Sequence, residues 1–131
     1  MRHTVVALVA SVALVLAAGA AHAQYVMGAI ADVPFSFVVR GQTLPAGKYE
    51  LVETSAELLN LRAVSGKAAG LEIPVLTRLG AAPAGADPKL VFDKVGDTNY
   101  LSEVWFANVD GYLLLATKGS HTHQTVKGSK K

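Results

Sequence analysis

Residues 88–108, PKLVFDKVGDTNYLSEVWFAN, restrict the fold more than any other stretch of the chain. Two runs rich in β-branched and aromatic side chains, 89–95 and 99–107, flank Gly96-Asp97, a dipeptide that suits the tight connection of a β-hairpin. The stretch also holds the only tryptophan, Trp105. Its register is open to one residue. A two-residue turn pairs Val95 with Thr98 and groups Leu90, Phe92, Leu101, Glu103 and Trp105 on one face, whereas a three-residue turn groups Leu90 and Phe92 with Tyr100, Ser102, Val104 and Phe106. The first arrangement turns a carboxylate inward, and Glu103 then needs a partner such as Arg62 or Lys94. Tyr100, Glu103 and Trp105 are the candidate ligand or partner contacts, weighed against a hydrogen-bonding role for Glu103 and a core position for Trp105.

Period-two alternation continues elsewhere. In 32–40, DVPFSFVVR, Val33, Phe35, Phe37 and Val39 alternate with polar residues and Pro34, which predicts a half-buried strand with Pro34 at an edge or among its first residues. Pro45 and Gly47 predict a type I turn ending at positive φ, and 48–53 closes a hairpin with 32–40. Residues 58–64, LLNLRAV, read as a strand, with a helix over 55–63 as the competitor. Residues 69–79 form a strand that Pro74 demotes toward an edge or bulge. The Gly- and Ala-rich 80–87 is an exposed loop, and 112–118, YLLLATK, is the last strand after an Asp110-Gly111 turn. Residues 24–31 are a lead-in and 119–131 a polar, disordered tail. Seven short strands joined by tight turns predict an all-β domain over 32–118, a single antiparallel sandwich or small barrel.

The first 23 residues read as an address. Met1-Arg2-His3 is a short basic start, 5–18 is apolar with one Ser, and Ala21-His22-Ala23 is a small-x-small cleavage site that would leave Gln24 as the new N-terminus. The apolar run is shorter than the roughly 20 residues a membrane span needs. The expected destination is periplasmic or extracellular, reached unfolded because no paired arginines precede the run. With no cysteine anywhere, neither a disulfide nor a lipid-modified Cys is available, so apolar burial must stabilise the domain. A net charge of +2 does not suggest nucleic acid, and Lys127, Lys130 and Lys131 form a solvated cluster.

The segments VPFSFVVRGQTLPAGKYEL (33–51) and LVFDKVGDTNYLSEVW (90–105) together resemble a group of small exported proteins of unknown function frequent in acidobacterial genomes. The shared pattern is a VPF-x-F strand, an LPAG-x-Y turn and strand, and an L-x-F…G-D…Y-x-L-S-E-V-W hairpin. The resemblance covers about a third of the chain and implies relatives without implying a reaction. Residues 107–131 diverge from the pattern and inherit nothing from it.

Chemistry is sparse. His121 and His123 at i, i+2 can reach one metal ion from a strand, but no carboxylate lies within the tail and a competent site needs three or four ligands, so no metal site is expected. A Ser-His-Asp hydrolase would need its base in that same tail. Glu50, Glu53, Glu57, Glu72, Asp93 and Glu103 are scattered, mostly on faces that alternate away from the core, with Glu103 the exception, and no phosphate-binding Gly loop is present. Neither catalytic nor cofactor-binding residues are expected. The expected function is a non-enzymatic, exported β-domain of the bacterial cell envelope, binding or structural, whose partner is an envelope protein, a glycan or a small ligand. The alternative is a carrier of a small apolar ligand with a cavity inside a β-barrel.

Overall fold

The structure, a computed structural model, describes residues 27–55, 57–66, 70–107 and 109–130. The expected signal peptide and the cleavage site before Gln24 lie outside the described residues. Among those described there is no helix. Eleven strands occur: β1 Gly28–Val33, β2 Phe37–Val39, β3 Gln42–Leu44, β4 Gly47–Ser55, β5 Leu58–Ala63, β6 Leu71–Pro74, β7 Thr77–Ala81, β8 Lys89–Val95, β9 Thr98–Trp105, β10 Asp110–Leu113 and β11 Thr122–Lys130. They form one sheet that curls into a half-barrel rather than a two-sheet sandwich, in the order β3-β2-β9-β8-β11-β1-β4-β5-β6, with β10 beside β9 and β7 beside β10. Pairing is antiparallel except for a single parallel bridge, Val38 to Tyr100.

The excess over seven strands has two sources. First, alternation persists across corners. Residues 32–40 break after Val33, where Pro34 offers no N–H to the ladder, yet Val33, Phe37 and Val39 stay buried and Phe35 packs against them. One continuous pattern thus feeds two strands in different parts of the sheet. Residues 69–79 likewise divide at Val75-Leu76. β6 pairs β5 and β7 pairs β10, so one short stretch ties two distant parts of the sheet together. β6 ends the strand order, and Pro74 sits on that edge.

Second, segments read as irregular contain strand residues: β7 runs into the expected loop as far as Ala81, and β10 takes in the expected Asp110-Gly111 turn. β1 takes in residues 28–31 of the expected lead-in and lies between β11 and β4, with Ala29 and Ala31 buried. β11 occupies the expected disordered tail and pairs β8 on one side and β1 on the other. β3 forms a hairpin with β2 across Arg40 and Gly41, whose φ values of 49° and 75° give the two positive-φ positions of a type I′ turn. The positive φ expected at Gly47 is therefore displaced to Arg40-Gly41. The expected hairpin of 32–40 with 48–53 does not form as such: of 32–40 only Asp32 and Val33 pair β4, whose ladder with β1 runs from Gly28 opposite Val52 to Val33 opposite Gly47, and the β2–β3 hairpin is inserted between the two strands. Leu58–Ala63 is a strand, not a helix. The last expected strand is shortened to β10, and residues 114–118 leave the ladder.

Aromatic rings fill the interior. Phe92 meets Phe35 and Phe37 edge to face at centroid distances of 5.0 and 5.3 Å, and Phe37 meets Tyr49 at 5.1 Å. The Tyr49 hydroxyl donates to the Pro45 carbonyl at 2.6 Å, which satisfies the one polar atom that ring brings in. Buried Tyr112 donates to Glu53 Oε2 at 2.9 Å and ties β10 to the end of β4.

The β8–β9 hairpin adopts both candidate registers in succession. Val95 pairs Thr98 around Gly96, at φ 59°, and the two-residue register runs as far as Phe92 opposite Leu101. Val91 then pairs Glu103, which leaves Ser102 as the extra residue of a β-bulge. Beyond the bulge every side chain changes face. Leu90, Phe92, Leu101, Val104 and Phe106 consequently belong to the core, while Glu103 and Trp105 are turned outward and half-buried.

Candidate functional site

The three sequence-predicted contacts do not converge. Trp105 lies on the outer face of β9, where its Nε1–H donates to Glu103 Oε1 at 3.0 Å and Lys89 Nζ stands 5.1 Å from the ring centroid. The indole covers Gly111 on β10, where a Cβ would come within 2.6 Å of the ring. Trp105 is thus a surface-laid ring and not a core residue. Glu103 is partnered by that indole; Arg62, one of its expected partners, instead reaches Glu50 at 3.3 Å. Tyr100 sits apart from both and lines a cleft at the open mouth of the half-barrel.

That cleft, about 310 Å³, is bounded by Val38 and Val39 of β2, Ile73 of β6, Leu101 of β9 and Leu114-Leu115 after β10. Arg40 stands at its rim, its guanidinium Nη1 donating to the Glu72 carbonyl at 2.8 Å. Tyr100 and Arg40 are the polar side chains in an otherwise apolar lining.

A second constellation was not expected. Antiparallel pairing sets His123 of β11 opposite Asp93 of β8, and His123 Nδ1 lies 2.8 Å from Asp93 Oδ1. His121, just before β11, places Nε2 3.9 Å from Asp93 Oδ2. The two imidazoles meet edge to face with centroids 5.0 Å apart. One donor atom from each of Asp93, His121 and His123 falls within 4.8 Å of the others, so these three residues could hold a metal ion. His121 Nδ1 is 2.9 Å from the Gly119 carbonyl, which can only accept, so Nδ1 carries the proton and a neutral ring leaves its Nε2 lone pair aimed at the cluster.

Asp93 is only 2 % exposed although it belongs to the outward-facing set of β8. Residues 114–121 cover it. Leu114 and Leu115 donate backbone N–H groups to the Ser102 carbonyl at 2.7 and 3.3 Å, and the Ser102 hydroxyl donates to the Leu115 carbonyl at 3.0 Å. Gly119, at φ 88°, then turns the chain back into β11. Burial pushes the Asp93 carboxyl upward, but the neighbouring Thr117 and Ser102 hydroxyls, His123 and His121 outweigh it and hold the group below its ordinary value. Of the two imidazoles only that of His123, at 2.8 Å, is within hydrogen-bond distance of the carboxylate.

The histidines have no carboxylate beside them in the chain, and the sheet supplies one from thirty residues away in β8. A signal existed: an Asp inside the run LVFDKV is out of place in a strand unless something compensates it. No protein-family model, curated protein or solved structure matches the chain. Among the described residues no helix is long and apolar enough to cross a membrane.

Proposed function

We propose that this chain is a non-enzymatic binding domain, exported to the bacterial cell envelope, that captures a small apolar ligand or an apolar group of a partner at the mouth of its half-barrel. The mouth cleft carries this reading: at about 310 Å³ it is the size of a small ligand site, with a mostly apolar lining and one guanidinium at the rim. The packed rings of Phe35, Phe37, Tyr49 and Phe92 favour capture at the mouth over a cavity deep inside the barrel. Such a lining favours binding over turnover, since it offers no paired acid and base near a substrate. The basic-apolar-small pattern of residues 1–23 supports export, and the resemblance of 33–51 and 90–105 to exported acidobacterial proteins supports an envelope role.

Native mass spectrometry of the protein purified from envelope fractions, alongside a pull-down from the same fractions, tests the proposal. Leu115, at the rim and 36 % exposed, is the position to change. The expected result is a retained small molecule or a captured envelope component that Leu115→Arg loses while its melting temperature stays close to that of the unsubstituted protein. Equal recovery from the two proteins, or none from either, overturns it.

A further inference from the structure

We infer that Asp93, His121 and His123 form a binding site for a divalent transition-metal ion of the zinc class, on the outer face of the sheet and separate from the mouth cleft. Four observations combine. Ligand atoms about 2.0–2.2 Å from a tetrahedral zinc ion stand roughly 3.3 Å from one another, and one donor atom from each of Asp93, His121 and His123 lies within 4.8 Å of the other two; the shortest contact, His123 Nδ1 to Asp93 Oδ1 at 2.8 Å, is a hydrogen bond whose proton a metal ion would displace. The donors must close by up to about 1.5 Å to share one centre.

The backbone has already chosen the tautomer of His121. Its Nδ1–H is committed to the Gly119 carbonyl, the supporting contact that metal-bound histidines characteristically make, and Nε2 remains as the donor. Asp93 and His123 are held by the β8–β11 ladder, so two of the three ligands stand on neighbouring strands in fixed register. Finally, the Asp93 carboxylate is almost wholly covered, and nearby imidazoles, not a permanent cation, are its closest charge-bearing partners. A bound cation would compensate it more completely than a neutral imidazole can.

Two imidazoles with one carboxylate suit zinc, copper or nickel, whereas magnesium and calcium prefer oxygen donors throughout. Three protein ligands leave a coordination position free. A shallow concavity lined by Lys94, Gly96, Ser120 and Thr122 adjoins His121, and through it water or a donor from a small anion can complete the shell. The competing account is a metal-free clamp in which the His123–Asp93 hydrogen bond fastens β11 to β8.

The two accounts separate in one experiment. The purified chain, stripped with a chelator, is titrated with Co²⁺ and followed by visible absorption, then with Zn²⁺ by calorimetry. His121→Ala is the principal variant, because His121 precedes the ladder of β11 and its loss leaves every strand pairing in place. His123→Ala is the second. The expected result is one metal ion per chain, an intense tetrahedral Co²⁺ spectrum displaced by Zn²⁺, and affinity at least about tenfold weaker in each variant. His121→Ala should melt close to the unsubstituted protein without metal and should lose the stabilisation that Zn²⁺ gives. Absence of saturable binding, or equal affinity in the unsubstituted protein and the His121→Ala variant, overturns the site and leaves the clamp.

Discussion

The β8–β9 hairpin and the seam that β11 makes with β1 and β8 share one sheet but are held in different ways. The hairpin is local: a two-residue turn, strands adjacent in the chain, and an inward face of Leu90, Phe92, Leu101 and Val104. The seam joins segments as distant as Ala31 and Gly128, and among the inward positions of β11 are Gln124, Val126 and Gly128. It offers little apolar area. What it has instead is a ladder on both sides, the Asp93–His123 contact, and the hydrogen bond from the Gly128 N–H to the Pro88 carbonyl at 2.8 Å. A strand can therefore occupy the middle of a sheet on backbone complementarity, provided its neighbours bring the apolar surface.

The sharpest way to break this comparison is to remove residues 120–131. If the seam is as integral as the hairpin, the loss bares the ladder groups of both β1 and β8, at a cost comparable with the ~5–15 kcal/mol stability of a typical domain. The expected outcome is loss of the cooperative thermal transition in near-ultraviolet circular dichroism; a truncated chain that still melts cooperatively within a few degrees would make β11 an accessory. Next in size is Phe92→Ala. Phe92 is fully buried against two other rings, and its truncation should cost about 3–5 kcal/mol in denaturant unfolding. A cost below about 1.5 kcal/mol would mean that the hairpin is not the apolar anchor of the sheet.

Two glycines sharpen the contrast with smaller effects. At Gly128 a Cβ would lie 2.8 Å from the Ile30 carbonyl oxygen, so Gly128→Ala should cost about 1–3 kcal/mol through lack of room. At Gly96 nothing is within 4 Å, and Gly96→Ala should cost about 1–2 kcal/mol through its positive φ alone. Asn, which tolerates that backbone geometry, should recover most of the loss at position 96 and worsen it at 128. The same response to Asn at both positions would show that the seam is conformationally, not sterically, restricted.

How much of this was legible follows from where contrast exists in the chain. The faces of 32–40 and 48–53 are readable because large apolar side chains alternate with polar ones. The corner at Pro34 is harder, since period two continues through it. β1 alternates too, but its buried residues are the small Ala29 and Ala31 while the larger Ile30 is only half-buried, so hydrophobic contrast does not mark its inward face. β11 is polar along most of its length and has no local partner to betray it. The β8–β9 ladder shifts register at Ser102, so each of the two registers holds over part of the hairpin. The Asp93 cluster was hidden for the same reason as the seam, since its members meet only after β11 has docked.

The strands that complete the middle of this sheet come from opposite ends of the described chain. While the polypeptide is still emerging, β1 can pair with β4, and β8 with β9, but the gap between these two halves waits for β11. Such pairing pays its loop-closure entropy late, so the final step of folding should be slow and of high contact order. During that interval two unpaired strand edges face each other across the gap, and a β11 donated by a second molecule could fill it as well as the chain's own. The arrangement that makes the finished sheet continuous also gives this chain an intrinsic route to strand exchange between copies.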